Sequence, residues 1–309
     1  MTGIVDAEGV TKGYGEVLGL NGFSATFPPG ITGLVGPNGA GKSTFFRLLA
    51  GQLRVDAGTL TLLGHPAWGQ GEFRRRVGYC PENAALFDWM SGEDFVTTLL
   101  RVDGFPRAEA RERAGRAIAT VGLTEDRLRR LRTYSKGMRQ RIKLAQCIAH
   151  EPDLILLDEP LNGVDPVGRA TLSELLRKLK ADGHHIIVSS HVLYEIERLT
   201  EQIVMISNGR VIAQGDIHRI RDLIDARPHV IEIDCPDPRD LARYIGAWDH
   251  IASIEFSGER RLRVLTRSPE ALYSALPELV IARGVSVTAL RSVDDNLDAV
   301  FRYLSEGAR

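Results

Sequence analysis

Short apolar runs and longer segments of helical spacing alternate from the start of the chain to about Asp216, the pattern of an α/β fold. Ile31–Val35, Thr59–Leu63, Leu154–Leu157, His185–Ser189, Ile203–Ser207 and Arg210–Ala213 read as strands. The last two flank Asn208-Gly209, a strong hairpin signal. Thr44–Ala50, Gly92–Val102, Pro106–Val121, Ser135–Ala149 and Pro166–Ala181 read as helices. Most of the interval between Lys42 and Leu154 is therefore helical, which predicts a helical subdomain at about 83–150 inserted in the α/β core.

Beyond Arg227-Pro228 the pattern changes. Ile231, Ile233 and Cys235 alternate with Glu232 and Asp234, as in a half-exposed strand. Pro238–Ile245 is helix-like, and Ile254/Phe256 and Leu262/Val264 make two strands around Ser257-Gly258-Glu259. Ser268-Pro269-Glu270 starts a helix with a capping serine and proline at the first helical position. Val285–Leu290 reads as a last strand, and Leu297, Val300, Phe301 and Leu304 stripe a final helix. The order β-α-β-β-α-β-α predicts a small ferredoxin-like α+β domain, so the expected division is 1–222 and 228–309.

The 309 residues suffice for two such domains. With 43% hydrophobic and 26% charged residues the composition is that of an ordinary globular protein, and the net charge of −1 speaks against a strongly basic nucleic-acid binder. Cys80, Cys147 and Cys235 are widely spaced and lack metal-ligand pairing, as expected of buried thiols in a reducing cytosol. The N-terminal residues lack a signal-peptide pattern and no stretch approaches a membrane span, so a cytoplasmic chain is expected.

Composition leaves the activity open; one local motif narrows it. Gly36-Pro37-Asn38-Gly39-Ala40-Gly41-Lys42-Ser43 fits G-x-x-x-x-G-K-[ST], between an apolar strand and a helix that opens with Thr44. Backbone N–H groups of such a loop wrap phosphates and the helix N-terminus adds positive potential. Lys42 can reach β- and γ-phosphates, and the Ser43 hydroxyl can ligate Mg²⁺. Farther on, Leu154–Leu157 delivers two acids. Asp158 is placed for the Mg²⁺ shell, and Glu159 to polarise an attacking water as general base.

With these residues in place, about residues 4 to 216 resemble the nucleotide-binding subunit of ATP-binding cassette (ABC) transporters, with ATP and Mg²⁺ as the implied ligands. Tyr134-Ser135-Lys136-Gly137-Met138-Arg139-Gln140-Arg141 is similar to the family's LSGGQ signature, which caps the γ-phosphate held by the opposite protomer. Ser135 and Gly137 match it; Tyr134, Lys136 and Met138 depart from it, and Lys136 brings a positive charge. The form YSKGMRQR is familiar from exporter cassettes. Tyr14 resembles the aromatic that stacks on adenine. Leu161–Pro166 resembles the D-loop, in which Asp165 couples the protomers. His191 after Ser189-Ser190 resembles the switch histidine that contacts the γ-phosphate. Tyr79-Cys80-Pro81-Glu82-Asn83 stands at the Q-loop with Glu82 for the usual glutamine, a carboxylate that can still ligate Mg²⁺ while adding negative charge.

The resemblance implies a fold with a P-loop NTPase core of ABC type, a head-to-tail homodimer, and a separate transmembrane permease that the chain serves from the cytoplasmic face. It implies export more than import. A permease helix is expected beside the Q-loop at Phe87, within the run Asn83–Met90. The ending Ser292–Phe301 resembles the C-terminal extension of exporter cassettes. Two other readings stand beside it. A soluble cassette ATPase of translation carries two cassettes, and one of chromosomes carries a long coiled coil between phosphate loop and acidic strand; neither feature is present. A small-molecule kinase would have no use for Ser135-Lys136-Gly137-Met138 or His191.

Overall fold

The computed structural model describes residues 3–68, 75–83, 85–217, 220 and 228–293. Packing divides the chain into two compact units, Met1–Asp216 and Ile217–Arg309.

In the first unit a six-stranded sheet has the order β10-β9-β3-β8-β7-β6. Its central strands β3 (Ile31–Val35), β7 (Leu154–Leu157) and β8 (His185–Ser190) are parallel and buried on both faces, which is why they read as unbroken apolar runs. β6 (Val77–Cys80) extends the parallel set, and β9 (Gln202–Ser207) turns back into β10 (Arg210–Asp216) through Asn208-Gly209. Both turn residues take positive φ, 49° and 73°, as a two-residue type I′ hairpin requires.

The α/β pattern misses what precedes. β1 (Val5–Tyr14) and β2 (Val17–Phe27) form an antiparallel sheet with β4 (Ala57–Leu62) and β5 (His65–Pro66), in the order β2-β1-β4-β5. Three register shifts between β1 and β2 break the alternation by which such strands are recognised. Helix α1 (Lys42–Leu49) packs into the core through Phe45, whose ring lies 4.6 Å from Phe23 and 5.2 Å from Phe27.

The inserted helices are α2 (Gly92–Val102), α3 (Arg107–Thr120) and α4 (Lys136–Ile148), followed in the core by α5 (Pro166–Ala181) and α6 (Leu193–Glu197). Their starts follow local capping: Ser91, Ser135 and Asp165 each accept a backbone N–H three residues on.

The second unit runs β11 (His229–Asp234), α7 (Pro238–Ile245), β12 (Ile251–Phe256), β13 (Arg261–Thr266), α8 (Pro269–Arg283) and β14 (Ala289–Ser292). All its pairings are antiparallel and the order is β12-β13-β11-β14, the split β-α-β arrangement expected of a ferredoxin-like domain. Ile231, Ile233, Leu262 and Val264 meet Leu241, Ile245, Leu272 and Leu276 in a core of their own.

Two local expectations fail here. The last strand is not Val285–Leu290, because pairing with β11 begins only at Ala289; Val285 and Val287 pack on the core instead. Ser268 stands before α8 but makes no side-chain cap. The Thr266 hydroxyl accepts the Ser268 N–H instead, at 3.2 Å. The final helix expected around Leu297–Leu304 lies outside the described residues. No described helix is long and apolar enough to cross a membrane.

Candidate functional site

The phosphate loop leaves β3 at Gly36 and enters α1 at Lys42. Backbone crowding dictates its glycines. A Cβ at Gly36 would lie 2.3 Å from the Ile206 carbonyl oxygen, and one at Gly41, where φ is 111°, 2.4 Å from that of Gly19. The loop is pinned by the Gly36 N–H to the Ser190 carbonyl (3.2 Å) and by the Gly209 N–H to the Ala40 carbonyl (2.9 Å). The first N–H groups of α1 have no intrahelical acceptors and so face the loop's hollow as donors. Lys42 is buried with its Nζ folded back, donating to the carbonyls of Gly36 (2.6 Å) and Pro37 (3.2 Å).

The acidic pair sits opposite. Asp158 and Glu159 are buried at the end of β7, where the Asp158 N–H donates to the Cys80 carbonyl at 2.9 Å. One residue from the neighbouring strand holds both: the Ser189 hydroxyl donates to Asp158 Oδ1 (2.7 Å) and accepts the Glu159 N–H (2.9 Å). Glu159 has φ 49°, a sparsely occupied conformation for a non-glycine residue. Its Oε2 lies 2.8 Å from His191 Nδ1. Its Oε1 lies 3.2 Å from Lys42 Nζ, an ion pair outside hydrogen-bond geometry, so this buried oxygen has no donor. Lys42, Glu159, His191 and, through Ser189, Asp158 thus form one cluster. Ser189 belongs to no motif of its own; its signal in the sequence is a polar residue near the end of an otherwise apolar buried strand, two positions before His191.

Around this cluster ordinary proton donors are silenced. Burial, with the nearby Asp158 charge, drives the Tyr79 hydroxyl well above its usual range, and burial pushes the Cys80 thiol up to about 12.

The remaining candidates are placed as follows. Tyr14 is 44% exposed, with its hydroxyl 3.5 Å from Thr44 Oγ1 at the start of α1. Ser135 caps α4 through the Met138 N–H at 3.2 Å, and Gly137 faces open space. Asp165 caps α5 through the Gly168 N–H at 2.6 Å. No hydrogen bond joins Ser135, Gly137 or Asp165 to the Lys42 cluster. Lys136 reaches within its own chain to the D-loop, where its ammonium occupies the space a side chain at Gly163 would take. Glu82 is not brought to Ser43 or Asp158 by any such contact. Its carboxylate accepts from the Asn162 amide at 3.0 Å, and its carbonyl from Lys143 at 2.9 Å.

Between the core and the inserted helices opens a cavity of about 580 Å³, with Tyr79, Phe87, Phe95, Leu99, Phe105 and His150 among its walls. Phe87 is 47% exposed and Trp89 70%, their rings 6.2 Å apart. Such aromatic exposure is unusual for a loop that serves only its own fold.

A family model described as ABC transporter matches residues 20–162. The chain is 37% identical over 307 residues to the daunorubicin/doxorubicin resistance ATP-binding protein DrrA of Streptomyces peucetius, covering 98% of this chain and 93% of that one. It is 37% identical over 309 residues to the Nod factor export ATP-binding protein I of Ralstonia nicotianae, covering 98% and 94%. An uncharacterized ABC transporter ATP-binding protein of Nostoc sp. is 38% identical over 208 residues, 66% of this chain and 62% of that one. A solved ATP-binding subunit of an ABC transporter superposes with a TM-score of 0.63 at 28% identity, covering 72% of this chain and 93% of that one. Identity above a third along nearly the whole of two transporter subunits, on a chain whose phosphate loop, acidic pair and histidine converge, leaves one assignment: this protein belongs to the ATP-binding subunits of ABC transporters.

Proposed function

We propose that this ATPase drives an exporter, turning ATP hydrolysis at the Lys42 cluster into movement of a separate membrane-spanning subunit on whose cytoplasmic face it sits. The observation that carries the chemistry is the Glu159 carboxylate, set between Lys42 and His191 with one buried oxygen lacking a donor. With the Lys42 ammonium, now 3.2 Å away, turned to the phosphates, that oxygen accepts a proton from the attacking water. His191 holds the other oxygen and, beside it, contacts the γ-phosphate. Lys42 balances the β- and γ-phosphates, while the backbone of Gly36, Pro37, Asn38, Gly39, Ala40 and Gly41 and the first turn at Ser43 and Thr44 cradle their oxygens. Tyr14 stacks on the adenine.

The Ser43 hydroxyl and the Asp158 carboxylate are hard oxygen donors suited to magnesium, which prefers to keep phosphate and water among its ligands. Bound there, the ion would neutralise phosphate charge. Glu82 would join them only on leaving Asn162.

Ser135 and Asp165 stand exposed and Gly137 half-buried, with no hydrogen bond to the Lys42 cluster, which favours a head-to-tail homodimer in which each signature helix start completes the partner's site. The aromatic cavity beside Phe87 suits a short apolar helix of the permease. Residues 1–222 form the ATPase domain in this scheme and 228–309 an accessory one. Export follows the two relatives matched along almost their whole length, one named for drug resistance and one for Nod factor export.

Glu159→Gln tests the reading. ATP binding should be retained while turnover falls by about 10²–10⁴, and the ATP-bound variant should scatter light as a dimer. Hydrolysis at the wild-type rate would remove Glu159 as base, and a monomer at high concentration with the permease added would remove the homodimer. Phe87→Asp should uncouple transport while basal ATPase activity survives; unchanged transport defeats the docking assignment.

A further inference from the structure

Ser189 and Ser190 are neighbours at the end of β8, and strand geometry points them opposite ways. Ser189 serves the acidic pair. Ser190, 2% exposed, faces the other layer, where its hydroxyl donates to Glu195 Oε2 at 3.1 Å and accepts the Val192 N–H at 2.9 Å. A hydroxyl has one proton to give. With that proton committed to Glu195, a lone pair is left for Val192, so the carboxylate sets the serine's rotor.

The backbone on both sides of His191 is thereby held. Ser190 is fixed in the sheet, with its carbonyl accepting the Gly36 N–H, and Val192 is drawn back onto the Ser190 side chain. Glu195 is itself 8% exposed, and its second oxygen lies 2.9 Å from Arg169 Nη1. The same guanidinium donates through Nε to the Val164 carbonyl, at 2.8 Å, in the D-loop. A continuous path of polar contacts therefore runs from Val164 through Arg169, Glu195 and Ser190 to the turn that carries His191. Neither charged residue touches Lys42 or the phosphate loop by hydrogen bond or ion pair.

We infer that Arg169 and Glu195 are positioning residues: they hold the switch turn so that His191 meets Glu159, and they tie that geometry to the D-loop. The inference rests on the reading of His191 and Glu159 as a working pair. It needs no nucleotide to be tested, because both partners of the contact belong to this chain.

The test uses Glu195→Gln, which keeps the shape and removes the charge, and Arg169→Lys, which keeps the charge and removes the planar fork. The direct readout is the His191 ring shift in nucleotide-free protein, assigned with His191→Gln. Glu159→Gln should move that shift strongly in the wild-type background and at most half as far beside Glu195→Gln, a double-mutant cycle on the contact itself. Steady-state kinetics should show kcat down tenfold or more with the KM for ATP within about twofold, and Arg169→Lys should fall between this variant and wild type. If Glu195→Gln does not fold, the same cycle is run with Arg169→Lys. An undiminished response of His191 to Glu159→Gln overturns the inference even if kcat falls. A diminished response sustains it even if Glu159→Gln alone proves to hydrolyse ATP normally, an outcome that would defeat only the assignment of Glu159 as base.

Discussion

Ser189→Ala strikes the hinge of the acidic pair. The hydroxyl, on a residue with no exposed surface, donates to a buried carboxylate at 2.7 Å and accepts a buried N–H at 2.9 Å. A hydrogen bond to a charged group contributes about 1.5–3 kcal/mol, and a buried donor left without acceptor costs about 1–3 kcal/mol. Alanine forfeits the first and orphans the Glu159 N–H. The lower limits alone sum to about 2.5 kcal/mol, so the expected loss is about 3 kcal/mol. Guanidinium denaturation followed by circular dichroism should show a lower midpoint with an unchanged slope, as for a change in stability without a change in the surface exposed. Turnover should fall as well, because Glu159 then loses the contact that holds its left-handed backbone. A loss below about 1 kcal/mol at unchanged slope would refute the reasoning, since the serine would then be holding neither group.

His150 lines the aromatic cavity, and burial lowers its pKa below the ordinary 6.5, although its ring bonds the Val77 carbonyl at 3.1 Å. The fold therefore prefers the neutral ring and the unfolded chain takes the proton more readily, so its share of stability is present above pH 6.5 and is lost as pH falls from there toward the lowered value. Unfolding midpoints between pH 8 and pH 5 should decline more steeply for wild type than for His150→Gln, and equal slopes would contradict this. Burial also raises the thiols of Cys80 and Cys147. In native protein at pH 8 both should resist iodoacetamide and react only after denaturant is added, as peptide mass spectrometry would show; labelling of either in the native state would mean that its strand or helix opens.

What could be read along the chain was whatever lies within one turn or one strand of itself. The phosphate loop, the Leu154–Leu157 strand with the two acids that follow it, the Asn208-Gly209 turn and the helices Gly92–Val102 and Pro166–Ala181 are local patterns, and their elements occur where the pattern put them. Local propensity sufficed because each is specified by residues a few positions apart: a strand buried on both faces, or a helix started by its own cap. Where several partners compete for the same backbone, it did not. β1 and β2 stayed hidden because glycines and register shifts interrupt their alternation, so only pairing with each other and with β4 makes them strands. β14 begins where β11 offers a partner, not where the valines begin. The motifs named Asp158, Glu159 and His191 but not the hydroxyl that joins them, nor the hold of Asn162 on Glu82 or of Arg169 on Glu195, pairs separated by 80 and 26 residues. Which chemical groups this ATPase carries, and on which elements, is written in the order of its residues. Which of them share a proton, a charge or a hollow emerges with folding, because those choices depend on distances across a packed core that no stretch of chain encodes alone.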